Sequence, residues 1–153
     1  MMKLCSDVLK ALEGRTLCTA ESLTGGGIGG ALTSVPGASK VFKGGVISYT
    51  DEVKREVLGV SAADLAAYGA VSAPVAQAMA RGARELLKAD VAVSVTGLAG
   101  PDGDEFGHEV GTVFIGYSDE KTLHVREFHF SGDREAIRTQ TIESALQLIL
   151  ETL

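Results

Sequence analysis

Ser22 lies in the segment with the clearest potential for covalent chemistry, residues 19–27. The segment reads Thr-Ala-Glu-Ser-Leu-Thr-Gly-Gly-Gly and includes the end of a short apolar run over 16–20. A serine at a strand-to-helix turn can present its hydroxyl to a ligand, and the backbone amides of residues 24–26 can bind a negatively charged oxygen. This pattern is typical of a nucleophile beside an oxyanion hole. The alternative is that Ser22 or Thr24 is only a helix N-cap.

Lys54 is the residue that could activate such a nucleophile. It lies about one turn into a helix predicted to start at residues 50–52, where the helix dipole disfavours an ammonium, and burial would lower its pKa further. A neutral lysine can accept the proton of a serine hydroxyl without any histidine. The alternative is an ordinary solvated lysine on a helix surface.

The loops that follow predicted strands are expected to bring these groups together. In open α/β sheets, ligands bind beyond the carboxyl ends of the strands. The residues that we expect to converge there are Ser22, Tyr49, Lys54 and Thr96.

Helices and strands alternate along most of the chain. Apolar spacing and turn residues predict helices over 2–13, 25–34, 61–67 and 74–87, a helix starting at 50–52, and a final helix capped by residues 131–133. Strands are predicted over 16–20, 44–49 and 91–96, and a hairpin over 110–117 and 122–130. The nearly continuous apolar strand 91–96 is typical of a strand covered on both faces. The pattern predicts a three-layer α/β/α sandwich with a mixed sheet and leaves the strand order open.

Composition narrows the class of protein. The 153 residues, 45% hydrophobic and 22% charged, predict a single domain over residues 1–153. A formal net charge of −6 argues against a nucleic-acid partner. No apolar run has the length of a membrane span, so we expect no membrane partner. No signal peptide is recognisable, so we expect a cytoplasmic location, where Cys5 and Cys18 would be free thiols. The Ala/Gly-rich helices favour a homo-oligomer.

Three further patterns in the sequence could indicate ligand binding. Gly25-x-Gly27-x-x-Gly30 matches a dinucleotide fingerprint, but a segment this rich in glycine matches by composition alone. The histidines lack further ligands at useful spacing, so neither a metal nor a cofactor is expected. Arg134 and Arg138, one turn apart, could hold a phosphate or could pair with neighbouring carboxylates.

Seven blocks of sequence follow one another over nearly the whole chain. They are residues 20–26 (AESLTGG), 45–54 (GVISYTDEVK), 58–60 (LGV), 68–72 (YGAVS), 96–103 (TGLAGPDG), 110–113 (VGTV) and 130–134 (FSGDR). In this order the blocks resemble the CinA C-terminal domain family. At His108 and Glu109 the chain differs from the Lys-Pro pair that is common in the family, and Leu23 replaces a frequent cysteine.

The resemblance implies a nicotinamide-nucleotide amidase, which hydrolyses nicotinamide mononucleotide to nicotinic acid mononucleotide and ammonia in pyridine-nucleotide salvage. It implies a Ser/Lys dyad of Ser22 as nucleophile and Lys54 as general base, with Tyr49 assisting. The expected substrate-binding residues are Thr24, Gly25, Gly26, Thr96, Gly97 and Arg134. Family members that carry an additional amino-terminal domain suggest that this chain is a stand-alone form. The alternatives are a non-catalytic nucleotide-binding or regulatory module and a dinucleotide-dependent redox enzyme.

Overall fold

Five strands form one mixed sheet. The computed structural model describes residues 1–153, and the strands are β1 (Leu17–Glu21), β2 (Phe42–Ile47), β3 (Val91–Gly97), β4 (Thr112–Ser118) and β5 (Leu123–His129). Their order is β2-β1-β3-β4-β5, with β2 and β3 parallel to β1, and with β4 antiparallel to both β3 and β5. Glu21, the last residue of β1, pairs with Ile47 on one side and Val95 on the other. The carboxyl ends of the three parallel strands therefore meet at one end of the sheet.

Six helices cover the two faces of this sheet. They are α1 (Met2–Ala11), α2 (Gly27–Thr33), α3 (Asp51–Leu58), α4 (Ala62–Tyr68), α5 (Ala73–Leu87) and α6 (Arg134–Thr152). Helices α1, α2 and α6 pack together on one face, whereas α5 crosses the other face and contacts α3 and α4. Residues 91–96 of β3 are all buried, because helices cover both of their faces. The predicted α/β/α sandwich with a mixed sheet is confirmed.

Helices α3 and α6 begin at the predicted capping residues. The Thr50 hydroxyl accepts a hydrogen bond from the Val53 amide at 3.3 Å, and the Asp133 carboxylate accepts one from the Ala136 amide at 2.8 Å. Helix α2 begins differently, since Gly26 precedes it with a left-handed φ of 98° and no side chain at that position caps it. Neither Ser22 nor Thr24 is therefore the N-cap of α2.

Two apolar cores lie on opposite faces of the sheet. Leu17, Val93 and Tyr117 belong to the core under α1, α2 and α6, whereas Cys18 and Ala20 belong to the core under α5. Cys5 and Cys18 are both buried free thiols. None of the helices is long and apolar enough to cross a membrane.

Candidate active site

Ser22 and Lys54 meet at the carboxyl end of the parallel strands. Ser22 directly follows β1, and Lys54 lies in the first turn and a half of α3. The Lys54 amine lies 3.1 Å from the Ser22 hydroxyl oxygen and donates a second hydrogen bond, of 2.8 Å, to the Ser48 carbonyl. Both side chains are buried, with Lys54 only 1% exposed. The prediction that Lys54 is directed towards Ser22, and not into solvent, thus agrees with this geometry.

The environment of Lys54 favours its neutral form. Burial lowers the pKa of the Lys54 amine, and the attraction of the nearby Asp51 carboxylate opposes this shift without cancelling it. No carboxylate lies within salt-bridge distance of the amine, so its close partners are the Ser22 hydroxyl and a backbone carbonyl. With the amine neutral, the same 3.1 Å contact allows the Ser22 hydroxyl to donate to nitrogen. This is the arrangement that a general base requires.

Glu21 holds the turn that carries Ser22. Its carboxylate, 2% exposed, accepts hydrogen bonds from the Thr24 hydroxyl at 2.7 Å and from the Ile28 and Gly29 amides at 2.8 and 3.1 Å. The Thr19 hydroxyl donates a fourth, at 3.2 Å. The carboxylate therefore ties the end of β1 to the start of α2, and it satisfies amides at the positive end of that helix.

Arg138 fixes the same turn from the other side. Its guanidinium donates to the Leu23 carbonyl at 2.9 Å and to the Thr24 carbonyl at 3.2 Å. From sequence, Arg138 was a candidate phosphate ligand or a partner of neighbouring carboxylates. In the structure its guanidinium instead binds backbone carbonyls and forms no salt bridge. Arg138 thus links α6 to the backbone next to Ser22.

An open pocket of about 500 Å³ lies above the Ser22–Lys54 pair. Its walls come from the loops after β1, β2 and β3, from α3, from α4 and the segment that follows it, and from the start of α6. Of the residues expected from sequence, it brings together Ser22, Lys54, Tyr49, Thr96, Gly97 and Arg134. The Thr96 hydroxyl donates to the Ala70 carbonyl at 2.8 Å, which connects the end of β3 to the segment before α5.

Arg134 and Tyr49 form one part of the pocket rim. The Arg134 guanidinium donates to the Tyr49 phenol oxygen at 2.9 Å and also to the Gly100 carbonyl. Both Arg134 and Tyr49 are exposed, and Arg134 forms no salt bridge. Its positive charge is consequently available to an anion in the pocket.

Thr24, Gly25 and Gly26 lie behind the Ser22 turn and do not line the pocket. The Thr24 hydroxyl is used by Glu21, Gly25 faces the Arg138 guanidinium, and Gly26 faces Ile47. The Gly25 amide donates to the Ser22 carbonyl at 3.1 Å. The positions of the Thr24 hydroxyl and the Gly25 amide, and of Gly26 outside the pocket lining, therefore give no support to substrate binding by these three residues. The amides of Leu23, Thr24 and Gly26 have no acceptor in the protein, and of these three residues only Leu23 lines the pocket.

Sequence reasoning missed two contributors to this site. Glu21 carried a signal, since an acid at the end of an otherwise apolar strand is unusual and needs buried partners. Phe106 stood in a polar loop and had no comparable signal, yet its ring lines the pocket. No group of three or more His, Cys, Asp or Glu side chains, at this site or in the rest of the chain, is placed to hold a metal ion.

Known proteins similar to this chain share one family description. A family model described as the CinA C-terminal domain matches residues 1–153. The chain is 46% identical over 140 residues to a CinA-like protein of Geobacter metallireducens, and 47% identical over 141 residues to a putative competence-damage inducible protein of Bacillus subtilis. Each match covers 92% of this chain and 34% of the relative, so the chain spans about a third of the length of these relatives.

Solved structures match over nearly their whole length. The competence damage-inducible protein A of Klebsiella pneumoniae has a TM-score of 0.96 at 36% identity, covering 98% of this chain and 94% of its own. A CinA superfamily protein of Escherichia coli has a TM-score of 0.97 at 36% identity, covering 99% and 90%. The arrangement of strands and helices described above is thus shared with experimentally determined structures.

Proposed function

Since the chain belongs to the CinA C-terminal domain family, we propose that it is a serine amidohydrolase that converts nicotinamide mononucleotide to nicotinic acid mononucleotide and ammonia. The observation that carries the proposal is the buried Lys54 amine, 3.1 Å from the Ser22 hydroxyl, with a lowered pKa. A lysine held in this way has the character of a base, because burial disfavours its charged form. The nicotinamide substrate is the part of the proposal that comes from the family resemblance.

The first half of the reaction forms an acyl-enzyme. The Ser22 oxygen attacks the carboxamide carbon while Lys54 takes the hydroxyl proton. The Leu23 amide, which lacks a protein acceptor and belongs to a residue that lines the pocket, is the candidate donor to the oxyanion. When the tetrahedral intermediate collapses, protonated Lys54 gives its proton to the leaving nitrogen, and ammonia departs.

The second half returns the enzyme to its starting state. Lys54, again neutral, takes a proton from water, and the resulting hydroxide equivalent attacks the Ser22 ester. Collapse of this second intermediate releases the carboxylic acid and returns the proton to the Ser22 oxygen. In this proposal Tyr49, which lines the same pocket, assists proton transfer, whereas Thr96 supports the pocket through its hydrogen bond to the Ala70 carbonyl.

Arg134 supplies the phosphate contact in this proposal. It lines the pocket, has no carboxylate partner and lies in the first turn of α6, where the helix dipole also favours an anion. Gly97 lines the pocket without a side chain, and a Cβ at this position would overlap Val113 of β4. We further propose that the enzyme acts in the cytoplasm without a nucleic-acid or membrane partner. A homo-oligomer stays a prediction.

The decisive experiment measures ammonia release from nicotinamide mononucleotide, with and without EDTA. We expect turnover that EDTA leaves intact, and near-complete loss in both Ser22→Ala and Lys54→Ala. Because a nucleophile and its base act as one unit, the double variant should be no slower than the slower single variant. Circular dichroism of each variant verifies that the fold is retained.

Three results would redirect the assignment. Substantial activity in Ser22→Ala would place the nucleophile elsewhere, and a specific requirement for one divalent ion would indicate metal-assisted hydrolysis. Nucleotide binding by the wild-type chain without any ammonia release would favour the non-catalytic binding module.

A further inference from the structure

Phe106 is a second aromatic residue of the pocket besides Tyr49. Its ring lies against Gly69, where a Cβ would come within 2.6 Å of two ring carbons. Gly69 ends α4 with a φ of 77°, a conformation that favours glycine. The missing side chain at position 69 thus leaves room for the aromatic ring. Nevertheless 41% of Phe106 remains exposed, and the residue lines the pocket.

A local hydrogen-bond network holds the loop that carries Phe106. One Asp104 carboxylate oxygen accepts the Phe106 amide at 3.1 Å and the His108 amide at 2.9 Å. The other lies 2.8 Å from His108 Nδ1. The His108 ring in turn meets the buried Phe114 edge-on, with 6.3 Å between ring centroids. This network, which we call the Asp104 turn (residues 104–108), anchors the loop to β4.

The surroundings of Phe106 suit a flat, positively charged ring. Both oxygens of the Asp104 carboxylate are engaged within the Asp104 turn, but two other acidic residues, Asp102 and Glu105, line the same pocket. The face of an aromatic ring attracts a cation, and two aromatic rings gain further from stacking. Ala70, which follows Gly69 in the chain, accepts a hydrogen bond from the Thr96 hydroxyl through its carbonyl oxygen. This bond links the segment that contacts Phe106 to the end of β3 in the same pocket.

We propose that Phe106, positioned by the Asp104 turn, is a specificity-determining residue that contacts the face of the substrate's pyridinium ring. The inference rests on the proposed function and extends it, since it assigns the ring and the phosphate to different parts of the rim. Arg134 then binds the phosphate, and Phe106 selects amides attached to a flat cationic ring. The His108 side chain, one of the two departures from the common Lys-Pro pair, acquires a positioning role through Asp104.

The test separates the aromatic ring from apolar bulk. Phe106→Ala, Phe106→Leu and Phe106→Tyr are compared for the KM and kcat of nicotinamide mononucleotide. We expect the Ala and Leu variants to raise KM roughly three- to tenfold, and the Tyr variant to stay within about twofold. Leu86→Ala, another exposed apolar side chain, is the matched control outside the pocket and should change neither constant.

Two further measurements distinguish ring recognition from a general change in pocket shape. Ribose 5-phosphate, which lacks the ring, should inhibit the wild-type and Phe106→Ala enzymes with the same Ki. Asp104→Ala should raise KM as Phe106→Ala does, and the double variant should be no worse than Phe106→Ala alone, because both changes remove one contact.

The outcomes either support the inference or overturn it. A Leu variant equal to the wild type, or equal weakening of ribose 5-phosphate and the nucleotide, would overturn ring recognition by Phe106. Additive effects of Asp104→Ala and Phe106→Ala would overturn the positioning role of the Asp104 turn. If the wild-type chain released no ammonia at all, the proposed function would fail first, whereas an active wild type with unaffected variants would refute this inference alone.

Discussion

Replacing Glu21 with glutamine tests whether the buried carboxylate holds the nucleophile's turn. One carboxylate oxygen accepts the Ile28 amide and the Thr24 hydroxyl, and the other accepts the Gly29 amide and the Thr19 hydroxyl. Each carboxylate oxygen accepts one backbone amide, so in either orientation the NH2 group of a glutamine would face the amide of Ile28 or of Gly29. The threonine hydroxyls can rotate to accept a hydrogen bond from the NH2 group, but a backbone amide can only donate and would lose its partner.

The expected loss follows from this count of donors. A hydrogen bond to a charged group contributes about 1.5–3 kcal/mol to stability. The variant loses one such bond, and the remaining bonds weaken because their acceptor is no longer charged. The expected decrease in the free energy of unfolding is therefore about 2–4 kcal/mol. For a chain of this size that corresponds to a fall in Tm of roughly 5–15 °C. Activity should fall as well, since the carboxylate positions the residue next to it, Ser22.

Thermal unfolding followed by circular dichroism measures this effect. Glu13→Gln, the same change at an exposed position, is the control and should alter stability by less than about 0.5 kcal/mol. A Glu21→Gln variant that unfolds within a degree of the wild type would refute the reasoning. The carboxylate would then contribute no more than a neutral amide to the turn.

Three other predictions concern the charged groups of the site. First, kcat/KM should rise with pH, and the apparent pKa of this rise should lie below the usual value of about 10.4 for lysine. A rise centred on the usual lysine value would contradict the assignment of Lys54 as the base. The same rise in the Lys54→Ala variant would contradict it as well. Second, because burial lowers the folded-state pKa of Lys54, the unfolded chain binds more protons between the two pKa values, so wild-type Tm relative to Lys54→Met should increase with pH in that window. A constant difference in Tm would argue against the shift. Third, Arg134→Ala should raise KM for nicotinamide mononucleotide about ten- to a hundredfold more than for its riboside, from the loss of a charged hydrogen bond. Equal damage to both substrates would assign Arg134 to another part of the ligand.

Much of the fold was accessible from sequence because its signals are local. The apolar run of β3 predicted a strand covered on both faces, and Thr50 and the segment around Asp133 predicted helix starts. Such signals depend on a few neighbouring residues, so no long-range information is needed. The strand order was not accessible, since pairing of β1 with β3 joins residues more than seventy positions apart.

The Ser22–Lys54 pair shows what a sequence determines about a site and what it leaves open. Residue types and the expected loops after strands sufficed to select both residues, because the topology of α/β sheets gathers such loops at one end. Tertiary structure alone decided that the amine lies 3.1 Å from the hydroxyl and is buried there. Burial depends on the packing of α3 against α5 and on the loops that carry Ser22 and Ser48, so the direction of the pKa shift at Lys54 became definite only in the folded chain.

The supporting contacts depended on the tertiary structure even more. Arg138 reaches the Leu23 carbonyl across 115 positions of sequence, and Phe106 meets Gly69 only because two loops converge at the rim. Residue types and their spacing are contained in the sequence itself, and they indicated which side chains could take part in catalysis. Distances between loops are set by how helices pack on a twisted sheet, and they decided which of those groups face the pocket and which, like Thr24, Gly25 and Gly26, lie behind it.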